Sequence, residues 1–396
     1  MGKRGLAVLV VVLAAVFGLD EALFAQAATG ETPQAGQSAS ATSEKPAAKP
    51  VELLAWLQGL KFSGDLRLRC EGIWFDQDTP DQQHGRFRLR FGIEKQVTDE
   101  WNAVFRLASG KDSNPTSTNQ TFTNNFDRKM IWIDLAYATY KPAVVPGLTI
   151  GAGKVKNPWV NTFMVWDGDV NPEGVYATYR TKLADNFEPL VTLSQMFSFE
   201  NGNAGADDAS MWAAQAGFNW TVLEDVTWSP SVAYYDWQSY TEKGNWSKSN
   251  GNTNDGTVLT AGNFNVLDVI NTVKFKVFDM PLAITADYAK NTGDDAPAPD
   301  DGRDSAYLGM VKLGDVKDKG QWSVDYAYAK IEANAVVGAF SDSDFGYANR
   351  KGHKVGFNYG LAKNVVGGLS LYITKPVSGD SKEEQTTLMA DVVLSF

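Results

Sequence analysis

Arg86-Phe87-Arg88-Leu89-Arg90-Phe91-Gly92-Ile93-Glu94 is the stretch that decides the fold. Phe87, Leu89, Phe91 and Ile93 share one parity; Arg86, Arg88, Arg90, Gly92 and Glu94 share the other. Successive side chains of a strand point to opposite faces. A strand here carries one apolar and one strongly basic face. Upstream, Leu66, Leu68, Cys70 and Trp74 alternate with Asp65, Arg67, Arg69 and Glu71. At the far end Leu388, Ala390, Val392, Leu394 and Phe396 alternate with Thr387, Met389, Asp391, Val393 and Ser395.

The same texture runs from residue 61 to residue 396 and yields about sixteen segments, from 62–75 through 265–277 to 385–396. Pro230 interrupts the segment 226–237 and predicts a bulge. Connections alternate between short turns, such as Thr98-Asp99-Glu100 and Asp279-Met280, and long segments near 111–129, 156–173, 238–264 and 332–350. Short turns on one rim, long loops on the other and an even strand count predict a transmembrane antiparallel up-and-down β-barrel. Closure leaves no sheet edge for lipid to face. A soluble β-sandwich also alternates, but it buries its apolar face and does not require sixteen amphipathic strands in this rhythm. Trp74, Trp101, Trp220 and Trp322 lie near strand ends on the apolar parity, as an interfacial girdle requires.

Composition excludes several alternatives. One Cys and two His leave little for a metal centre, a disulfide scaffold or a nucleophile–His pair. A net charge of −11 argues against nucleic acid as a partner. No enzyme chemistry and no cofactor are expected. Residues 1–27 read as a secretory signal, with Lys3-Arg4, an apolar run from Leu6 to Leu19 and Ala25-Gln26-Ala27 as a cleavage site. Residues 28–60 read as a flexible periplasmic segment with a short helix at 51–60, and 61–396 as the barrel. The chain is thus expected in the outer membrane of a Gram-negative bacterium.

Function should reside on the inward parity and in any loop folded into the lumen. Sixteen strands enclose more space than side chains fill. Arg67, Arg69, Arg86, Arg88, Arg90 and Arg106 point inward from the first three strands, and Arg180 joins them from the sixth. Their fixed donor forks suit a functional ladder; the alternative is a solvated face neutralised by Asp65, Glu71 and Glu94. The segment Lys156–Glu173 carries Trp159, Val160, Phe163, Met164, Val165 and Trp166, then Asp167, Asp169 and Glu173, whereas the other long loops read as polar. Exposing that apolar content costs about 25 cal/mol per Å². The loop is therefore expected inside the barrel, with its aromatics on the wall and Asp167 and Asp169 toward the opening. A loop folded over the rim or into a subunit contact is the alternative. The acidic segment 292–304 is a weak candidate for a cation, without EF-hand spacing.

Val165-Trp166-Asp167-Gly168-Asp169-Val170-Asn171-Pro172-Glu173-Gly174-Val175 resembles a motif of the bacterial putative porin family, as do the opening strands around Gly64–Arg69 and Arg86–Arg90. The resemblance implies a passive, water-filled channel for small hydrophilic solutes and ions; a selective or anion-biased channel using the Arg ladder is the alternative. It also implies outer-membrane lipid and lipopolysaccharide as surroundings. A terminal Phe396 on the apolar parity resembles the signal read by the barrel-assembly machinery. Trimerisation is usual for sixteen-stranded porins, which makes a homotrimer the assembly to test.

Overall fold

A computed structural model describes residues 59–396 except 124, 201–206, 243–247, 255–258, 260–262, 294–301 and 380. The chain divides into two units, 1–61 and 62–396. The signal at 1–27, nearly all of the periplasmic segment and the acids at 294–301 lie outside the described residues. Leu60, expected at the end of a helix, instead opens the first strand.

The strands are β1 (Leu60–Phe75), β2 (Gln82–Gln96), β3 (Trp101–Ser109), β4 (Gln120–Thr121), β5 (Ile131–Tyr140), β6 (Leu148–Lys154), β7 (Glu173–Arg180) and β8 (Phe187–Phe199). They continue as β9 (Ala209–Leu223), β10 (Val226–Gln238), β11 (Asn265–Val277), β12 (Met280–Asn291) and β13 (Ser305–Gly314). The last are β14 (Trp322–Ile331), β15 (Arg350–Ala362), β16 (Val365–Pro376) and β17 (Gln385–Ser395). β4 is a two-residue strand within the loop after β3, hydrogen-bonded to β2 at Arg86 and Phe87. The other sixteen form the wall. Each pairs antiparallel with its neighbours, and β17 closes onto β1 from Asp65↔Ser395 to Phe75↔Gln385.

Large hydrophobics are exposed along the outer face, among them Leu68, Phe91, Phe105, Ile133, Leu193, Val232, Ile284, Val311 and Val355. Water would penalise such a belt and a bilayer does not. Trp101 stacks on Tyr140 at 4.7 Å at the short-turn rim, where Trp220, Trp228 and Trp322 also lie. Phe278 and Asp279 both have positive φ (49° and 62°), forming the two-residue turn that joins β11 to β12. Such a turn matches the strand twist, and asparagine or glycine would fit its first position with less strain than Phe278. At the seam, the Gly64 and Phe396 backbones exchange hydrogen bonds of 2.9 and 3.1 Å. A Cβ on Gly64 would lie 2.6 Å from the Phe396 ring, so this close approach requires glycine.

Two expectations need correction. No register shift occurs at Pro230; the shift in the β9–β10 ladder lies between Val226 and Thr227, beside the turn. Pro230 pairs in register with Asn271 of β11, and the β9–β10 ladder simply skips Ser229 and Pro230. A missing donor therefore opens the ladder without adding a residue. Nor are the other long loops uniformly polar. Residues 332–349 bury Ala333, Ala335, Val336, Val337, Phe345 and Ala348. Alternating small residues hide this apolar segment from a scan for large side chains.

Candidate functional site

The loop between β6 and β7 packs on lumen-facing side chains. Val160 donates its N–H to Gln215 Oε1 of β9 (2.8 Å) and accepts from Gln215 Nε2 (2.7 Å). The Thr162 hydroxyl donates to Asp287 on β12. Trp159 and Trp166 stack at 4.9 Å, and each meets the edge of Tyr235 on β10, at 5.4 and 5.6 Å. Trp166 also stacks on Trp237 (6.1 Å) and on Phe340 of the 332–349 loop (5.7 Å). Phe163 lies 5.3 Å from Phe345 of that same loop.

The two loops are stitched together by backbone bonds. Asp167 N–H donates to the Phe340 carbonyl (2.7 Å), and Asp342 N–H to that of Phe163 (3.1 Å). Asp167 does not face an opening. Its carboxylate is buried and accepts the N–H groups of Asp169 (2.8 Å) and Ser343 (3.2 Å). Burial, reinforced by the nearby Asp342 carboxylate, pushes the Asp167 carboxyl up to about 9. Burial and Asp344 raise Asp342 to about 6, against the opposing pull of Lys354 and two backbone N–H bonds.

Asp169 is the loop acid that reaches the basic wall. One oxygen lies 3.4 Å from Arg90 Nη1, and the other accepts the Thr118 N–H (3.1 Å) and hydroxyl (3.0 Å). Glu173 is exposed at the start of β7 and pairs with Lys154 at 2.8 Å. A cavity of about 470 Å³ lies beside this region, lined in part by Asp134, Lys154, Asp169, Asn171 and Glu173.

The arginines are brought together, and most are paired. Arg69 grips Asp391 of β17 with two bonds of 2.8 Å and reaches Asp344 of the 332–349 loop at 3.2 Å. Asp65 receives both Arg88 and Arg90 at 2.8 Å. Arg86 meets Glu71 at 2.8 Å, and Arg106 meets Asp134 at 2.5 Å. Arg67 differs. Its Nη2 donates to the Asn119 side chain (2.7 Å), its Nε has no acceptor, and no carboxylate pairs with it among the described residues. Arg180 is not part of the ladder. It sits half-exposed at the end of β7, 3.7 Å from Glu188. Asp134, Asp344 and Asp391 are the partners that sequence reasoning missed. The segment 116–120 was also missed; Thr116, Thr118 and Gln120 are buried, and the Ser343 hydroxyl bonds to the Thr116 carbonyl at 3.1 Å.

These residues make a closed barrel wall with two loops packed against it and most of its clustered arginines paired. No curated protein matches the sequence. Among solved structures, Pseudomonas putida OprB at high pH is similar at 12% identity, over 85% of this chain and 94% of that one, with a TM-score of 0.56. Salmonella typhi OmpF in complex with daunomycin is similar at 11% identity, over 85% and 97%, with a TM-score of 0.50. At such identities the likeness concerns the fold. The family model described as "Putative porin" matches residues 77–259 and 241–394, nearly the whole barrel. The closed sixteen-strand barrel and that match together place the protein in the outer membrane as a porin-like channel rather than an enzyme, and the chain belongs to the putative porin family.

Proposed function

We propose that the barrel passes small hydrophilic solutes and ions by passive diffusion through an aperture framed by the Arg wall and an acidic inward loop. The observation that carries this reading is the contact of Asp169 with Arg90 and Thr118, within electrostatic range of Arg67 and Arg88. Charges of both signs held by a fixed scaffold set up a local field in a low-dielectric wall. Polar solutes exchange ordered water for these groups, whereas apolar ones lose hydration without replacement. Asp167, Trp159, Phe163 and Trp166 hold the loop in this reading, and Asp169 is the charge it sets against the Arg wall.

A second reading rests on Arg67. Arg67 has no directly paired carboxylate among the described residues, and a guanidinium held only by the Asn119 side chain offers a passing anion a contact, which biases the channel toward anions. Purified protein in planar bilayers distinguishes the two. Asp169→Asn removes the negative charge that the loop sets against Arg90, which Asp65 still holds, and should shift the salt-gradient reversal potential toward anions. Unchanged conductance and reversal potential in this variant would sink the constriction role. The proposal further includes recognition of Phe396 by the assembly machinery, lipopolysaccharide at the outer rim and a homotrimer.

A further inference from the structure

Beneath the inward loop, Asp268 of β11 and Asp287 of β12 meet on the lumen side. Asp268 faces Ala289 and Ile270 faces Asp287 in the ladder, so the two carboxyls are diagonal neighbours and come within hydrogen-bonding range. Asp268 is 1% exposed and Asp287 3%. No Lys, Arg or His among the described residues pairs with either one. Both oxygens of Asp268 and one of Asp287 lack any hydrogen-bond partner.

Neighbouring oxygens are also unsatisfied. The Tyr235 hydroxyl is fully buried, has no acceptor for its proton and lies within electrostatic range of both carboxyls. Ser231 Oγ, on the same inward row of β10, is buried without a partner. Thr162 brings a further oxygen to Asp287 from the loop above. Buried acids without partners are costly, and each such group calls for a reason. A single shared proton would serve one oxygen of each carboxyl. It would leave the second Asp268 oxygen, Tyr235 and Ser231 unsatisfied. One hard divalent cation answers both carboxylates and Tyr235, since it balances two negative charges and takes oxygen ligands only.

We propose that Asp268 and Asp287, with Tyr235 and Thr162, form a buried binding site for a hard divalent cation of the calcium class. Because Thr162 belongs to the inward loop, the bound ion ties that loop to the β11–β12 wall. With two carboxylates rather than three or four, the affinity belongs to the weak range, a Kd on the order of 10⁻⁴–10⁻³ M. The site follows from the folded lumen alone and does not rest on the channel reading.

The experiment uses full-length folded barrel in detergent, stripped with EDTA and titrated with CaCl₂ by equilibrium dialysis with radioactive calcium. Asp268→Asn and Asp287→Asn should each remove one equivalent of bound calcium per chain while the acidic loops keep theirs. Tyr235→Phe and Thr162→Val, which keep both carboxyls, should weaken that equivalent several-fold. They stand in if the Asn variants lose the heat-modifiable mobility of a folded barrel. Tryptophan emission, reporting on Trp159 and Trp166 above Tyr235, should shift with calcium at fixed pH. The proposal is overturned if wild type and folded variants bind equal calcium, or if emission follows pH and ignores calcium, which would assign the pair a shared proton.

Discussion

Replacing Trp166 with alanine removes the side chain on which the inward loop pivots. The indole is 3% exposed and packs on Trp159, Tyr235, Trp237 and Phe340 at centroid distances of 4.9 to 6.1 Å. Truncating a buried aromatic of this kind costs about 3–5 kcal/mol. Against this stand the remaining polar ties: two bonds between Val160 and Gln215, one from Thr162 to Asp287, and the backbone bonds Asp167–Phe340 and Asp342–Phe163. Each contributes about 1 kcal/mol net. The loss is thus comparable to these five polar ties together. Even its lower limit, about 3 kcal/mol, multiplies the undocked population more than a hundredfold. The barrel wall does not depend on Trp166, so the variant should fold and keep its heat-modifiable mobility. Single-channel recordings should show higher mean conductance and larger open-state noise. A folded Trp166→Ala barrel with wild-type conductance and noise would refute the claim that aromatic packing sets the aperture.

Three further outcomes follow from the same geometry. Asp167 and Asp342 have folded-state values raised above those of an undocked, solvated carboxyl, so docking of the two inward loops is favoured in acid and weakens as pH rises through about 6 and on toward 9. Open-state noise should therefore grow with pH, and Asp167→Asn should flatten that dependence; a profile unchanged by the substitution counts against the linkage. Arg67→Gln removes the ladder charge that lacks a carboxylate partner and should move the reversal potential toward cations by more than Arg88→Gln, whose charge is balanced by Asp65. Equal shifts would remove the special role of Arg67. Gly64→Val drives a side chain into the Arg90 carbonyl and the Phe396 ring, so barrel closure in a refolding assay should slow or fail, whereas Gly168→Ala, with open space around its Cα, should refold as wild type.

The wall was legible because its determinants are local. Alternation needs only neighbouring residues, and 265–277 carries it without interruption, so β11 spans the expected residues. Leu60 was misassigned because Val51–Leu60 has helical spacing, while the pairing that would make it a strand comes from far along the chain. Pro230 was legible as an interruption, but its consequence was not. Whether a missing N–H becomes a bulge or a gap depends on the register of β9 and β11, which the sequence of β10 does not contain.

The site divides along the same line. That the 156–173 connection packs was legible, because six large apolar side chains in a connection must find cover. Its counterpart at 332–349 supplies much of that cover with Ala, Val and Gly, residues that look unremarkable singly and bury completely when opposed to Trp166 and Trp237. The arginines were legible as a row, but their charge state was not. Arg69 takes its carboxylates from Asp391, 322 residues away, and Asp344, 275 away, because barrel closure lays β17 against β1 and the 332–349 loop reaches β1 at this point. The row of like charges in sequence thereby becomes a wall of alternating sign in space, with Arg180 outside it and Arg67 without a direct carboxylate contact. What crosses the barrel should therefore depend less on the number of arginines than on which one closure leaves without an acid. The Arg67 and Arg88 comparison measures that difference.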